Sequence, residues 1–355
     1  MNPEGKAVFI FRVGSLGDSV VALPAIHEIS QYYRAELYLI SNAPNKEALS
    51  SWKVYRHTKY FKKKFEFKYS ISSILRLRNF IKQAQGDEKI LYYLVDESSL
   101  IRNFRNYLFF RIIGVSKIYG WKECVGNYIK KDSNGRLITV IPEYKRLVNI
   151  AYNYLGKSNS HPKNVDYITF DSEIINKISL KYGFINNQFI VLGIGGKTDI
   201  QKWSAANYIE VLKDFNKEII VIILGGNGEY NDAKKIQKSL PQIKILNLCA
   251  MTSIQESAYI LSKAILYFGN DTGTAHLSGI VKTKCVVITS GRNNLERWTP
   301  FGEGHTIIRK RTDCEGCFLS SYKDCKFNVE CMNEINTKTV SKILFTTLLN
   351  EGNTI

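Results

Sequence analysis

Short apolar runs alternate with segments of helical periodicity along most of this chain. The runs that predict strands lie at residues 7–11, 37–40, 90–95, 189–193, 219–224, 243–246, 265–268 and 285–289. Helical patterns between them cover residues 26–33, 74–85, 204–215, 231–239 and 253–262. Continuous apolar strands are typical of parallel sheets buried on both faces, and strand–helix alternation is typical of doubly wound α/β domains. The pattern predicts two such domains in tandem, facing each other across a cleft.

The best boundary signal is a polar stretch at residues 156–162, which contains Gly, Ser, Asn and Pro. A chain of 355 residues also exceeds what one hydrophobic core usually serves. We therefore expect a first domain over residues 1–160 and a second over 161–335. A final amphipathic helix within 336–355 can pack on either domain, including back on the first.

Composition is that of an ordinary soluble protein, with 45% hydrophobic and 23% charged residues. No apolar run approaches the roughly 18 residues of a membrane span. The N-terminus lacks the basic region, apolar region and small-residue cleavage site of a secretory signal. These features predict a cytoplasmic location.

Positive charge is concentrated in the front half. The formal net charge is +17, and residues 1–165 hold 27 Lys and Arg against 13 Asp and Glu. Residues 53–82 hold ten basic residues and one acid, interleaved with aromatic residues: Tyr55, Tyr60, Phe61, Phe65, Phe67 and Tyr69. An anionic substrate, an anionic membrane surface or nucleic acid would suit such a segment. A lysine-rich composition that only covers a solvated face explains it equally well.

Two glycine turns follow predicted strands. In the first, Gly14 and Gly17 precede Asp18, a spacing that matches neither G-x-G-x-x-G nor a P-loop. A carboxylate at the carboxyl end of a first strand is placed to remove a proton from a ligand in the crevice of a doubly wound sheet. The alternative is that Asp18 only caps a helix.

The second turn, residues 269–277, lies between an apolar run and a predicted helix. Small residues let backbone N–H groups approach a phosphate, and the following helix adds the positive end of its dipole. Asp271 and His276 supply polar side chains at the same rim. A merely structural loop is the alternative.

Five blocks make the chain resemble glycosyltransferase family 9, the bacterial heptosyltransferases. In chain order they are residues 12–18 with 23–25, 195–196 with 202–203, 224–226 with 229, 269–273 with 276–277, and 297–302. The resemblance is thin from about 45 to 185, where the acceptor is expected to bind. It implies a GT-B fold and an inverting transfer of a sugar from a nucleoside diphosphate to a lipopolysaccharide precursor. The best-known donor of the family is ADP-heptose.

The resemblance also implies residue roles. Asp18 would be the general base, and Lys202 would bind a diphosphate oxygen together with the backbone N–H groups of Thr272 and Gly273. No Asp-x-Asp pair occurs in the sequence. This agrees with a mechanism that requires no metal or other cofactor, in which Lys202 and the amides neutralise the leaving group.

The remaining donor residues implied by the resemblance are Glu229, against the ribose, and Asp271 and His276, against the donor sugar or ordering the turn. Each has a structural alternative. Glu229 can be a first-turn acid that complements a helix dipole, and His276 can be a buried structural histidine. Lys202 can be an exposed lysine before a helix cap.

Three positions depart from the family pattern and leave the donor open. Gly14 stands where Ser is common, Thr274 stands where Pro is common, and the stretch from Gly195 to Lys202 carries Lys-Thr-Asp-Ile at residues 197–200.

The expected acceptor is an anionic lipid-linked glycan at the inner face of the cytoplasmic membrane. We therefore expect peripheral membrane association and no nucleic-acid partner.

Four cysteines near the end of the chain form a C-x₂-C-x₇-C-x₅-C pattern: Cys314, Cys317, Cys325 and Cys331. Such a group can bind a structural zinc ion, and a cytoplasmic setting disfavours disulfides. The second pair lacks C-x-x-C spacing. The pattern is therefore a zinc candidate outside the active site.

Two other functions remain open. One is a non-catalytic module with two Rossmann-like domains that binds RNA or an anionic surface. The presence of Asp18 and Lys202 disfavours this function, because such a module needs neither a base nor a phosphate-binding lysine. The other is a nucleotide-sugar epimerase of the GT-B fold. It would need more acid–base groups around the sugar than the front half offers.

Overall fold

The computed structural model describes residues 5–42, 51–56, 58–68, 70–157, 165–183, 187–215, 218–294 and 296–350. They belong to two compact units. The first comprises residues 1–128 and 141–169, and the second comprises residues 129–140 and 170–355.

The first unit is built on a parallel five-stranded sheet in the order β3-β2-β1-β4-β5. Its strands are β1 (Lys6–Phe11), β2 (Leu37–Asn42), β3 (Phe61–Phe67), β4 (Glu88–Tyr93) and β5 (Lys117–Tyr119). The helices are α1 (Leu16–Val20), α2 (Leu23–Tyr33), α3 (Ser51–Tyr55), α4 (Ile71–Gln83), α5 (Leu100–Ile112) and α6 (Glu143–Leu155). Five consecutive residues of β1 are buried, as expected for a central strand covered on both faces.

The second unit is built on a parallel six-stranded sheet in the order β11-β10-β9-β6-β7-β8. Its strands are β6 (Phe189–Gly193), β7 (Ile220–Ile223), β8 (Ile245–Asn247), β9 (Leu266–Asn270), β10 (Cys285–Ile288) and β11 (Thr306–Ile308). The helices are α7 (Ser172–Tyr182), α8 (Ala205–Leu212), α9 (Tyr230–Ser239), α10 (Ile254–Lys263), α11 (Gly273–Ile280), α12 (Glu330–Asn333) and α13 (Thr337–Asn350). Short 3₁₀ turns occupy Asp199–Gln201, Asn227–Glu229 and Tyr322–Asp324.

Both sheets reverse their strand order beside the first strand. β1 lies between β2 and β4, and β6 lies between β7 and β9. In doubly wound sheets, ligands bind outside the carboxyl ends of the strands at such a switch point. The candidate ligand-binding loops are therefore those that follow β1 and β4 in the first unit, and β6 and β9 in the second.

The predicted fold class, α/β with two doubly wound parallel sheets, is confirmed. Each of the eight predicted strands overlaps an observed one, whereas three strands and five helices were missed: β3, β5, β11, α3, α5, α6, α7 and α12. β3 is an edge strand in which Lys62, Lys63 and Lys64 are exposed, so it lacks the alternation of a half-buried strand. α5 carries apolar residues on its exposed side as well as on its buried side, which hides its helical period.

The domain limits predicted from sequence run continuously, whereas residues 129–140 group with the second unit. Asn294 fixes this segment. Its side chain accepts from the backbone N–H of Lys130 at 2.9 Å and donates to the carbonyl oxygens of Lys130 and Ile138 at 2.6 and 3.0 Å. Most of the predicted linker, residues 158–162, lies outside the described residues. The final helix, α13, packs against α8, where Phe345 stacks on Phe215.

Candidate active site

The turn after β1 is held by the Asp18 carboxylate. Asp18 is the third residue of α1, and its Oδ2 accepts hydrogen bonds from the backbone N–H and the hydroxyl of Ser15, both at 2.6 Å. The residue is only 5% exposed. Gly14 has φ +141°, and a Cβ there would lie 2.4 Å from that of Asp18. Asp18 therefore caps the start of α1 through its local hydrogen bonds. It also lies at the switch point of the first sheet, where a ligand is expected.

Arg12 ties this turn to the loop after β4. Its fully buried guanidinium donates from Nε to the backbone carbonyl oxygen of Asp18 at 2.7 Å and from Nη1 to that of Leu94 at 2.9 Å. The loops that flank the switch point of the first unit are therefore held together by one side chain. Arg12 lies in the first block of the family resemblance, but the sequence pattern indicates no role for it.

Three carboxylates surround the Arg12 guanidinium. Asp96 Oδ1 lies 3.3 Å from Nη1, Asp18 Oδ1 lies 3.7 Å from Nη2, and Glu143 Oε1 lies 4.0 Å from Nη1. Glu143 also forms a two-pronged pair with Arg146, at 2.6 and 2.8 Å. Asp18 therefore lies in a network of alternating charges, which the sequence pattern did not indicate.

Asp96 has an unusual environment within this network. Two-fifths of its side chain is solvent accessible, yet many protein atoms surround its carboxyl group. The resulting desolvation raises the pKa of Asp96 to about 6, against the attraction of Arg12 and with the support of the Asp18 and Glu143 charges. The carboxyl group of Asp96 therefore titrates near neutral pH.

Asn270 organises the switch point of the second unit. The residue ends β9 and is completely buried. Its amide donates to the carbonyl oxygens of Ile194 and Gly195 at 2.8 Å each, and its oxygen accepts from Trp203 N–H at 3.2 Å and the Tyr208 hydroxyl at 2.7 Å. One side chain thereby fixes the loop after β6 and the approach to α8. Asn270 lies within the second glycine turn of the sequence, but the sequence pattern indicates no role for it.

Lys202 and Glu229 come together beyond β6 and β7. Lys202 Nζ lies 3.7 Å from Glu229 Oε1, with a third of the lysine side chain exposed. Glu229 Oε2 accepts from the backbone N–H of Gly226 at 2.8 Å. A Cβ at Gly195 would lie 3.2 Å from the Glu229 carboxyl carbon. The glycine-rich loops thus allow a partly exposed cation and a carboxylate to approach each other at the carboxyl edge of the sheet.

The turn between β9 and α11 presents an amino-terminal helix end. Thr272 caps α11 with extended backbone, and the first backbone bond runs from His276 N–H to the Thr272 carbonyl oxygen. The amide groups of Gly273 and Thr274 therefore have no partner within the helix. Such an end favours an anion.

Asp271 and His276 also lie together. His276 Nε2 is 3.4 Å from Asp271 Oδ1, and the imidazole packs edge-on against Trp298 at 5.7 Å between centroids. Among the described residues, the buried Nδ1 atom of His276 has no hydrogen-bond partner. The contacts fit a histidine that orders the turn, and the function of both side chains stays a prediction.

The four carboxyl-terminal cysteines are free thiols, of which Cys331 is buried and Cys317 exposed. Within the described ranges, no group of three or more His, Cys, Asp or Glu side chains is arranged to hold a metal ion. Zinc binding by these cysteines therefore stays a prediction. Among the same residues, no helix is both long and apolar enough to cross a bilayer.

Comparison with known proteins identifies the family of the chain. The model of glycosyltransferase family 9 (heptosyltransferase) matches residues 139–326, which is more than half of the chain. A lipooligosaccharide heptosyltransferase 2 of Campylobacter jejuni is 26% identical over 145 residues, which are 39% of this chain and 44% of the relative. The chain thus spans less than half the length of that relative.

Solved structures of low sequence identity share the fold. The ADP-heptose lps heptosyltransferase II of E. coli superposes with a TM-score of 0.67 at 13% identity, covering 98% of this chain and all of that one. E. coli heptosyltransferase WaaC, solved with ADP-2-deoxy-2-fluoro heptose, gives a TM-score of 0.62 at 13% identity and covers 96% and 99%. The predicted family resemblance is confirmed by the match of the family model, and the GT-B fold by these structures.

Proposed function

This chain belongs to glycosyltransferase family 9, and we propose that it transfers a heptose or related sugar from a nucleoside diphosphate, ADP-heptose, to a lipopolysaccharide or lipooligosaccharide precursor. One observation carries the proposal. A buried carboxylate lies at the switch point of the first unit, and a partly exposed lysine and a helix N-terminus lie at that of the second, which are the residue types that this chemistry needs.

The second unit would bind the donor. Lys202 would bind a diphosphate oxygen as a point charge, and the amides at the start of α11 would bind the same group. Glu229 would accept hydrogen bonds from the ribose. Support comes from the 3.7 Å approach of Lys202 to Glu229 and from the position of both at the carboxyl edge of the sheet.

The first unit would supply the base. An acceptor hydroxyl oxygen would attack the anomeric carbon while the bond from that carbon to the diphosphate oxygen breaks. The bonding pair would leave with the nucleoside diphosphate, and the hydroxyl proton would pass to the Asp18 carboxylate. A single displacement of this kind inverts the anomeric centre. The two bonds from Ser15 and the proximity of Arg12 would hold the Asp18 carboxylate in one orientation.

Charge neutralisation would need no metal ion in this scheme. The developing negative charge on the leaving diphosphate would fall on Lys202 and on the N–H groups of α11. The acceptor would be an anionic lipid-linked glycan, which suits the +14 balance of residues 1–165. The protein would then work at the cytoplasmic face of the inner membrane.

A thermal-shift panel tests the donor assignment, because a ligand that binds only the folded state raises the melting temperature. ADP, UDP, GDP, CDP and ADP-heptose would be compared with and without EDTA. We expect selective shifts with ADP and ADP-heptose that survive EDTA. Preference for another nucleotide would change the donor, and no shift in folded protein would favour a non-catalytic module.

A further inference from the structure

An apolar face of α5 is turned towards solvent. Its exposed large side chains are those of Leu100, Ile101, Phe104, Leu108 and Ile112, with Ile101 and Ile112 exposed by 82% and 78%. At about 100° per residue these five positions fall within a sector roughly 120° wide. Single exposed apolar residues are ordinary. A continuous apolar stripe along one helix instead indicates a surface that a membrane or another protein covers.

The opposite face of α5 is fixed to the unit by a buried polar anchor. The Asn103 amide donates to the carbonyl oxygen of Cys124 at 2.6 Å, and its oxygen accepts from the hydroxyls of Tyr93 and Ser98 at 3.1 and 2.9 Å. Turning the helix to bury its apolar stripe would break these bonds. The stripe therefore belongs to the outside of the folded unit.

A cavity of about 290 Å³ opens between α5 and α4. Its apolar lining comes from both helices and from the sheet beneath: Phe11, Phe67, Ile74, Leu77, Phe109 and Phe110. Arg105 and Asn106 complete the lining. On α4 the neighbouring Ile71 and Leu75 are also exposed. The apolar surface thus extends over both helices and into a groove between them.

The charged residues of these two helices have one sign. α4 and α5 together carry six basic residues and no acidic residue, and all six are exposed: Arg76, Arg78, Lys82, Arg102, Arg105 and Arg111. Long basic side chains lie along apolar surface while their charged ends reach anionic groups. Beside the stripe, the indole of Trp121 packs on Tyr107 at 4.8 Å, an aromatic type common at membrane interfaces.

We propose that the exposed faces of α4 and α5 dock on an anionic phospholipid bilayer, with the groove between them taking a lipid acyl chain and Arg105 facing the phosphate. An apolar stripe rimmed by basic residues is the pattern of helices that lie in the plane of a membrane surface. The inference deepens the proposed function in that the acceptor there is lipid-linked. It places the contact on α4 and α5, whereas Lys62, Lys63 and Lys64 lie on the edge strand β3.

The test is flotation of the full-length protein with vesicles of phosphatidylcholine, with or without phosphatidylglycerol. We expect binding to the anionic vesicles at least about tenfold stronger than to neutral ones. Raising the salt concentration to about 0.5 M should weaken but not abolish it, because the apolar part is not screened. Binding lost completely at that salt concentration, or equal for both vesicles, would contradict the proposal.

Paired variants locate the contact. Ile101→Ser with Ile112→Ser should reduce binding to anionic vesicles about tenfold, because each exposed side chain loses apolar area buried in the bilayer. Leu180→Ser on α7, a residue exposed by 86%, is the matched control and should bind as the unchanged protein does. For charge, Arg102→Gln with Arg105→Gln should weaken binding, whereas Lys234→Gln with Lys235→Gln on α9 should not.

Two further readouts separate this proposal from others. Vesicle binding is measured without donor or acceptor, so a protein that binds vesicles but transfers no sugar would refute the proposed function alone. A protein that transfers sugar but ignores vesicles would refute the docking surface alone. If sedimentation shows a dimer that the double Ile variant dissociates, and vesicles are not bound, the stripe covers a second copy and the proposal fails.

Discussion

Arg12 and Asp18 are joined twice at the end of β1. Arg12 Nε donates to the backbone carbonyl oxygen of Asp18 at 2.7 Å, and Nη2 lies 3.7 Å from its carboxylate Oδ1. The guanidinium is completely buried, so it cannot exchange these partners for water. The backbone position and the charge environment of Asp18 thus depend on the same side chain.

Replacing Arg12 should destabilise the first unit. Arg12→Met leaves the Asp18 and Glu143 carboxylates without their shared cation, and removing one partner of a buried charge network costs about 3–5 kcal/mol of unfolding free energy. Urea denaturation measures this loss. Arg78→Met, at an exposed position of α4, should change stability by no more than about 0.5 kcal/mol. Equal effects of the two changes would refute the role given to Arg12.

Asp96 should make stability depend on pH. Its pKa is raised to about 6 in the folded protein, above the roughly 3.9 of an unfolded aspartate. The folded state therefore holds the proton more tightly, and the stability gained from it is present below about pH 4 and lost as the pH rises through 6. Asp96→Asn removes this loss. The melting temperature of the variant relative to the unchanged protein should rise between pH 4 and 7, and a constant difference would show that Asp96 does not titrate there.

Asn270 should matter for both stability and nucleotide binding. Asn270→Ala leaves two carbonyl oxygens, one buried N–H and the Tyr208 hydroxyl without their partner, which should cost about 2–4 kcal/mol. It should also weaken ADP binding, because the loop that leads to Lys202 loses its anchor. Tyr208→Phe removes only one bond of this set and should cost about 1 kcal/mol. Titration calorimetry and denaturation would measure the two effects, and unchanged ADP affinity in a destabilised Asn270→Ala protein would restrict the residue to a structural role.

The contribution of Lys202 can be distinguished from that of the rest of the donor site by comparing the affinities for ADP and adenosine. Lys202→Met should lower ADP affinity about tenfold to a hundredfold, the usual effect of losing a charged hydrogen bond, and leave adenosine affinity unchanged. Its stability should hold, because its ion pair with Glu229 is partly exposed. Lys213→Met, an exposed position at the end of α8, is the matched control. Equal losses for adenosine and ADP would contradict a phosphate role.

The sequence predicted the central elements of both sheets because their strands are continuous apolar runs. It also located the turns at Asp18 and Asp271, since glycine and acidic residues interrupt those runs where the strands end. Arg12 and Asn270 lie within the sequence motifs but received no role, because their bonding partners are far away in sequence. Arg12 bonds to Leu94, and Asn270 bonds to Ile194 and Trp203. Local patterns do not encode such long-range bonds.

The peripheral elements were harder to predict for a different reason. β3 lies at the edge of its sheet and carries consecutive lysines, and α5 has apolar residues on two faces. Periodicity identifies elements that divide cleanly into a buried and a solvated side. Neither element divides in this way, so periodicity does not identify them.

The most direct test of the proposed mechanism is ADP release from ADP-heptose in the presence of a heptose-deficient lipooligosaccharide acceptor, comparing the unchanged protein with Asp18→Asn. The amide keeps the size of the carboxylate but cannot take the hydroxyl proton. We expect acceptor-dependent release to fall by at least about a hundredfold while the thermal shift with ADP persists. Asp87→Asn, at an exposed position before β4, should release ADP at the normal rate. Undiminished release by Asp18→Asn would contradict the base assignment, and loss of its ADP binding would show that Asp18 acts on the donor instead.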